Sequence, residues 1–158
     1  MSSFSINHFP KILSQLTLAV FLLFFHSSIQ ATPKSELDGY ITQGDKALSA
    51  GQLDAALSSF KKAAAIQSGT ELIQQKLANV YLLKGDYANS IKYFHNTLGF
   101  NAKSSKAFIG LGLAYLHTGQ YSLAKAALEE ARPYTEKKQD IDKIIDWIKT
   151  RQQNKFQP

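Results

Sequence analysis

Catalysis needs a positioned nucleophile, base or metal, and few side chains in this chain could serve. It contains no cysteine. That excludes disulfides, thiolate metal ligation, thiol catalysis and a cysteine-linked lipid anchor. Past residue 31 there are two histidines, His95 and His117, and they fall in different helical patterns. No His-Glu-x-x-His, Gly-x-Ser-x-Gly or phosphate-cradling loop is present. Gly110-Leu-Gly112 stops short of a dinucleotide fingerprint and lies inside a helical pattern. Glu129 and Glu130 are adjacent, so on a helix they point to different faces and cannot act as a pair. These residues are expected to be solvated surface, and the sequence offers no catalytic, metal or cofactor site.

The formal net charge is +6, a balance that can attract nucleic acid or anionic membrane. Here the lysines are scattered. Lys61-Lys62 and Lys137-Lys138 are the only adjacent pairs, and Arg132 and Arg151 are the only arginines. Nucleic-acid binding calls for basic residues interleaved with aromatics on one face, and the tyrosines fall on packing positions instead. The charge is therefore expected to serve solubility, with a bias toward acidic partners and no nucleic acid.

Residues 1–31 differ from the remainder. Lys11 is the only formal side-chain charge before Lys34, and an apolar run from Ile12 to Phe25 ends in His26-Ser-Ser-Ile-Gln-Ala31. A basic start, a short apolar run and a small-residue end make the layout of a secretory signal. The run is shorter than the about 20 apolar residues of a spanning helix. Cleavage after Ala31 would leave a mature chain of about 127 residues beginning near Thr32-Pro33. The alternative is an uncleaved anchor using residues 12–25.

Beyond residue 31 the sequence repeats itself. Gly51, Gly85 and Gly119 are 34 apart. So are Gly44, Ala78 and Gly112; Leu53, Tyr87 and Tyr121; Ala56, Ser90 and Ala124; Phe60, Phe94 and Leu128; Ala63, Thr97 and Ala131. Each column has a physical role. The glycine lies between two helical patterns, where a helix C-terminus requires positive φ. The small residues at 44, 78, 112 and at 56, 90, 124 let paired helices approach, and the large ones at 60, 94 and 128 fill the space between a pair and the next repeat. The spacing predicts helices near 35–50, 53–67, 71–84, 87–100, 105–118, 121–132 and 139–152. In the last, Ile141, Ile144, Ile145 and Ile148 form one stripe, suited to closing the open end of a stack. Trp147 lies off that stripe.

Leu77 to Phe94 and Leu111 to Ala124 resemble the tetratricopeptide repeat family, whose period is 34 residues per helix pair. The copy from Gly44 to Ala65 is weaker, with Gln43 where the others carry leucine, and Ser68 and Ala102 stand where the family has proline. The resemblance covers about residues 37–134. It implies an all-α, right-handed superhelical solenoid within residues 32–158: three tandem helix-turn-helix repeats (37–70, 71–104, 105–138) and a capping helix at 139–152.

In this family the first helices line the concave side. The resemblance thus implies a groove made of Ile41, Asp45 and Leu48; Gln75, Asn79 and Leu82; Ile109, Leu113 and Leu116, with Lys106 and His117 beside the third set and Leu72 and Leu83 beside the second. Such a groove suits an apolar-anchored peptide or amphipathic helix, although Leu48, Leu82 and Leu116 could equally pack between first helices. Co-chaperone members hold a terminal carboxylate with lysine, asparagine and arginine; the matching places here are Ile41, Asp45, Lys76, Lys106 and Gly110, of which only Lys106 fits.

The expected function is a non-enzymatic adaptor, exported to the periplasm or secreted from a bacterial cell, that binds another protein. Alternatives are a structural subunit of an envelope assembly that self-associates through the solenoid ends, against which the charged Asp140, Asp142 and Asp146 argue, or a membrane-anchored assembly or secretion factor. If the signal is cleaved, mass spectrometry of the chain purified from an exporting bacterium should find an N-terminus near Thr32; an intact Met1 would mean an anchor.

Overall fold

The computed structural model describes residues 33–154, so the signal segment and the site after Ala31 lie outside the described residues. Among the described residues seven α-helices follow in order: α1 (Pro33–Ser49), α2 (Leu53–Ile66), α3 (Glu71–Leu83), α4 (Tyr87–Phe100), α5 (Ser105–His117), α6 (Tyr121–Ala131) and α7 (Lys138–Asn154). A one-turn 3-10 helix, Arg132–Tyr134, follows α6. None of the described helices is long and apolar enough to cross a membrane.

The turns inside the pairs are the same motif three times. Gly51, Gly85 and Gly119 have φ of 71°, 76° and 72°. In each, the glycine N–H donates three residues back and the next N–H five back, as in Gly51 to Leu48 and Gln52 to Ala47. These two bonds use the last carbonyls of the first helix, which would otherwise be unpaired. The turns between pairs are less uniform. Thr70 caps α3 by accepting from the Ile73 N–H, whereas the Ser104 side chain makes no cap on α5; inside the second pair, Asp86 caps α4 by accepting from Asn89. Hydrogen bonds from the Asn89 side chain and backbone hold the Asp86 carboxyl below its usual value. After α6 the chain departs from the predicted helix. Pro133 lacks the N–H that an α-turn would use, and the segment tightens to the 3-10 turn.

Packing follows the columns. Phe60, Phe94 and Leu128 are fully buried. Beneath them lie Gly44, Ala78 and Gly112, also buried. A Cβ on Gly44 would come within 2.3 Å of the Phe60 ring, and one on Gly112 within 2.8 Å of Leu128. The first helix of the next repeat covers the same side chains from above. Lys76 lies over the Phe60 ring, Gly110 abuts Phe94, and Ile144 packs in the Leu128 cluster. Ser90, in a column of alanines, donates its buried hydroxyl to the Ala78 carbonyl at 3.0 Å.

The capping helix carries the repeat further than its stripe alone suggests. Ile141, Ile145 and Ile148 are buried, and each lies 34 residues after a buried residue of α5: Ala107, Leu111 and Ala114. Those in turn lie 34 after Ile73, Leu77 and Val80 of α3, also buried. The Gln152–Ser122 hydrogen bond between α7 and α6 repeats the Lys84–Asp54 ion pair between α3 and α2, with the same separation of 30. Helix α7 therefore takes the place of the first helix of a fourth repeat. Asp146 occupies its small-residue column and faces solvent, where a second helix would otherwise sit. Arg132 ties α7 to the 3-10 turn, donating to both Asp142 carboxylate oxygens at 2.7 and 3.1 Å, and this holds Asp142 below the usual carboxylate value.

At the other end the same columns are polar. Gly39, Gln43 and Lys46 of α1 precede Ile73, Leu77 and Val80 by 34, and Gln43 and Lys46 are exposed. This face meets water, whereas its equivalents meet the preceding repeat.

Gly110→Ala should cost about 1–3 kcal/mol in chemical denaturation, because its Cβ would lie 2.0 Å from the buried Phe94 ring. Gly39→Ala, with nothing within 4 Å of its Cβ, should stabilise by roughly 0.5–1 kcal/mol as an ordinary helix-interior change. Restoring the apolar columns with Gln43→Leu and Lys46→Val should create a sticky end, read as a concentration-dependent rise in sedimentation coefficient relative to the unaltered chain.

Candidate functional site

The side chains with catalytic potential are dispersed. His95 Nε2 lies 3.4 Å from the Tyr115 hydroxyl, and His117 stacks flat on Tyr87, centroids 4.9 Å apart. Glu129 pairs with Lys125 on its own helix. Among the described residues no group of three or more histidines, aspartates or glutamates is placed to hold a metal.

What the fold gathers is a face made by the first helices, α1, α3 and α5. Each presents the side turned away from its partner second helix. Ile41, Gln75 and Ile109 are half-buried there. Asp45 is engaged by Lys76 of the next first helix, so it is neutralised across the α1–α3 seam. Asn79, one repeat further on, is exposed and its side-chain amide makes no hydrogen bond to any described residue; Leu113 follows, half-buried. Leu48, Leu82 and Leu116 each pack against a core cluster and retain partial exposure. Their apolar surface thus goes first to holding neighbouring helices together. Lys106 is exposed, without a carboxylate partner among the described residues. His117 is exposed too, but its ring is committed to Tyr87.

Two leucines on this side stand out, Leu72 at 48% and Leu83 at 60% exposure. Leu72 borders a cleft of about 580 Å³ between the starts of α1 and α3, which Leu37, Ile41, Ile66 and Ile73 line and Lys34 and Asp38 rim. The repeat-packing residues lie elsewhere. Gly44, Ala56, Phe60, Ala78, Phe94, Gly112 and Ala124 are inside, Tyr87 and Tyr121 half-buried at the second-helix starts, and Gly51, Gly85 and Gly119 exposed at the turns.

Residues 105–131 match the tetratricopeptide repeat family. Solved structures share the whole arrangement. The second such domain of human RPAP3, solved with the HSP70 peptide SGPTIEEVD, superposes with a TM-score of 0.68 at 19% identity, covering 75% of this chain and 98% of that one. The Sgt2 domain from Aspergillus fumigatus gives 0.67 at 20% identity, covering 80% and 83%. MamA from Desulfovibrio magneticus RS-1 gives 0.69 at 15% identity, covering 90% and 83%. The fold is that of a tetratricopeptide-repeat solenoid. No curated protein sequence matches the chain.

On the tetratricopeptide frame, the face of first helices does not end at α5. Helix α7 continues its columns, so Trp147 follows Asn79 and Leu113 by steps of 34, and Arg151 follows Leu83 and His117. Neither stood out in the sequence as part of the face. The signal was present in the continuing period, but the apolar stripe of α7 drew attention to its buried side.

Proposed function

We propose that this chain is a non-catalytic protein-interaction module that binds a peptide or helix of a partner in the groove of its first helices. The observation that carries the reading is the combination on one face of exposed Leu72, half-exposed Ile41, Ile109 and Leu113, and amides at Gln75 and Asn79 that no described residue engages. Apolar anchors give affinity and unpaired amides can bond a peptide backbone. The solenoid relatives support the same class of function, since the RPAP3 domain was solved with an HSP70 peptide and the first repeat domain of Spaghetti (RPAP3) with the HSP90 peptide SRMEEVD. The groove here is chemically different from a carboxylate clamp. Asp45 and its partner Lys76 occupy two of the matching places and neutralise each other, and Gly110 is buried against Phe94. An apolar-anchored segment is favoured over a terminal carboxylate.

Export to the periplasm or beyond is part of the proposal and rests on the pattern of residues 1–31. Self-association through the solenoid ends is the weaker alternative, because both ends are polar: Gln43 and Lys46 on α1, Asp146 and its neighbours on α7.

Tagged full chain should retain a partner from bacterial envelope extract, and the still-helical double variant Asn79→Glu, Leu113→Glu should lose it. A partner held equally by both would remove the groove from consideration, and self-association alone would favour a structural subunit.

A further inference from the structure

The face of first helices continues onto α7, along the edge where first helices end and second helices begin. There a residue in the last turn of each first helix shares a rung with the residue that opens the second helix of the repeat before. The separation is 30 residues in every rung: Leu83 and Leu53 border one shallow cleft, His117 stacks on Tyr87, and Arg151 reaches Tyr121 through Trp147. The rungs change character along the solenoid, from aliphatic to aromatic to aromatic and cationic. In the last, Trp147 sits edge-on to Tyr121 with centroids 6.0 Å apart, and the Arg151 guanidinium lies 5.4 Å over the indole.

This last rung is built in a way that packing alone does not require. Trp147 remains 48% exposed. Exposed tryptophan beside tyrosine and arginine is the composition of binding hot spots, where large rigid rings and a planar cation add contact at small entropic cost. The charges nearby are unequal. Asp146 is taken by Lys149. Arg151 has only the indole, with no carboxylate among the described residues. The rung thus presents an apolar surface next to an unneutralised guanidinium.

We propose that the Tyr121–Trp147–Arg151 rung anchors an acidic amphipathic segment of a partner protein, its large apolar side chain on the Trp147 indole and its carboxylate on Arg151. This rests on the reading of the chain as an interaction module, and supplies the charge of the partner. A guanidinium that already lies flat on a ring keeps its edge N–H groups free for a carboxylate fork. The chain carries one tryptophan, so its fluorescence reports this rung alone.

The probes are two synthetic amphipathic helical peptides with the same leucine and phenylalanine face, one with a glutamate polar face and one with lysine. The expected result with purified full chain is a saturable blue shift of Trp147 emission for the glutamate peptide, weakened by salt, and a weaker response to the lysine peptide. Arg151→Ala should weaken the glutamate peptide about tenfold, Arg151→Lys should restore part of it, and Arg151→Glu should reverse the preference, all with unchanged helicity. Equal binding of both peptides, or glutamate-peptide binding with no change in emission, would overturn the proposal. So would a larger blue shift with anionic phosphatidylglycerol vesicles than with the peptide, which would assign the rung to a lipid surface. If Asn79→Glu, Leu113→Glu abolishes peptide binding while Arg151→Glu does not, the groove stands and the rung falls; the reverse pattern removes the groove and keeps the rung.

Discussion

Each repeat is held by one large side chain clasped between two first helices. Phe60, Phe94 and Leu128 leave the second helix of their own pair and enter a space whose floor is Gly44, Ala78 or Gly112 and whose roof is Lys76, Gly110 or Ile144 of the next first helix. The three sets trade volume. Where the floor is alanine and the wedge is phenylalanine, the roof is glycine; where the wedge is leucine, the roof can be isoleucine. Close packing makes this exchange necessary, since a methyl group too many cannot be absorbed. The same clasp joins each pair to its neighbour, so pairing and stacking are one interaction.

This accounts for what could be read without coordinates. A side chain that must meet the same neighbours in every repeat recurs at a fixed interval, and six columns of this kind were enough for the helices and for the glycine turns. Gly110 could not be found that way. Its column reads Thr42, Lys76, Gly110, with no shared chemistry, because its size is set by the wedge beneath it. The register of α7 was hidden for a related reason. Asp146 stands where earlier copies have glycine or alanine, and there the column faces solvent instead of a partner helix. The stacking of His117 on Tyr87 spans two repeats and has no local signature. The 3-10 turn could have been anticipated from Pro133, which forbids the α-helical bond. As for the candidate site, the sequence located the inner columns of α1, α3 and α5. It left open how much of Leu48, Leu82 and Leu116 is spent on packing.

Among the described residues, both end faces of the solenoid are polar. Polar residues fill the α1 columns that elsewhere receive a preceding repeat, and a charged surface covers the far side of α7. Repeat proteins need such caps because an uncapped apolar end invites another copy. With the ends polar, exposed apolar groups such as Leu72 and Leu83 on α3 and Trp147 on α7 lie on the face that runs along the stack. That geometry suits contact with an elongated chain.

The half-repeat at the C-terminus has a kinetic meaning. In a stack with nearest-neighbour energetics, an inner helix pair is held from two sides, whereas α7 is held from one. Its detachment would uncover Leu128 but leave the Phe60 and Phe94 clasps intact, as in the small cooperative units through which native proteins open. The tryptophan and arginine it carries thus ride on the element freest to leave. A segment bound across α6 and α7 would bridge that single interface and slow amide exchange along the last helix, coupling the order of the C-terminus to occupancy.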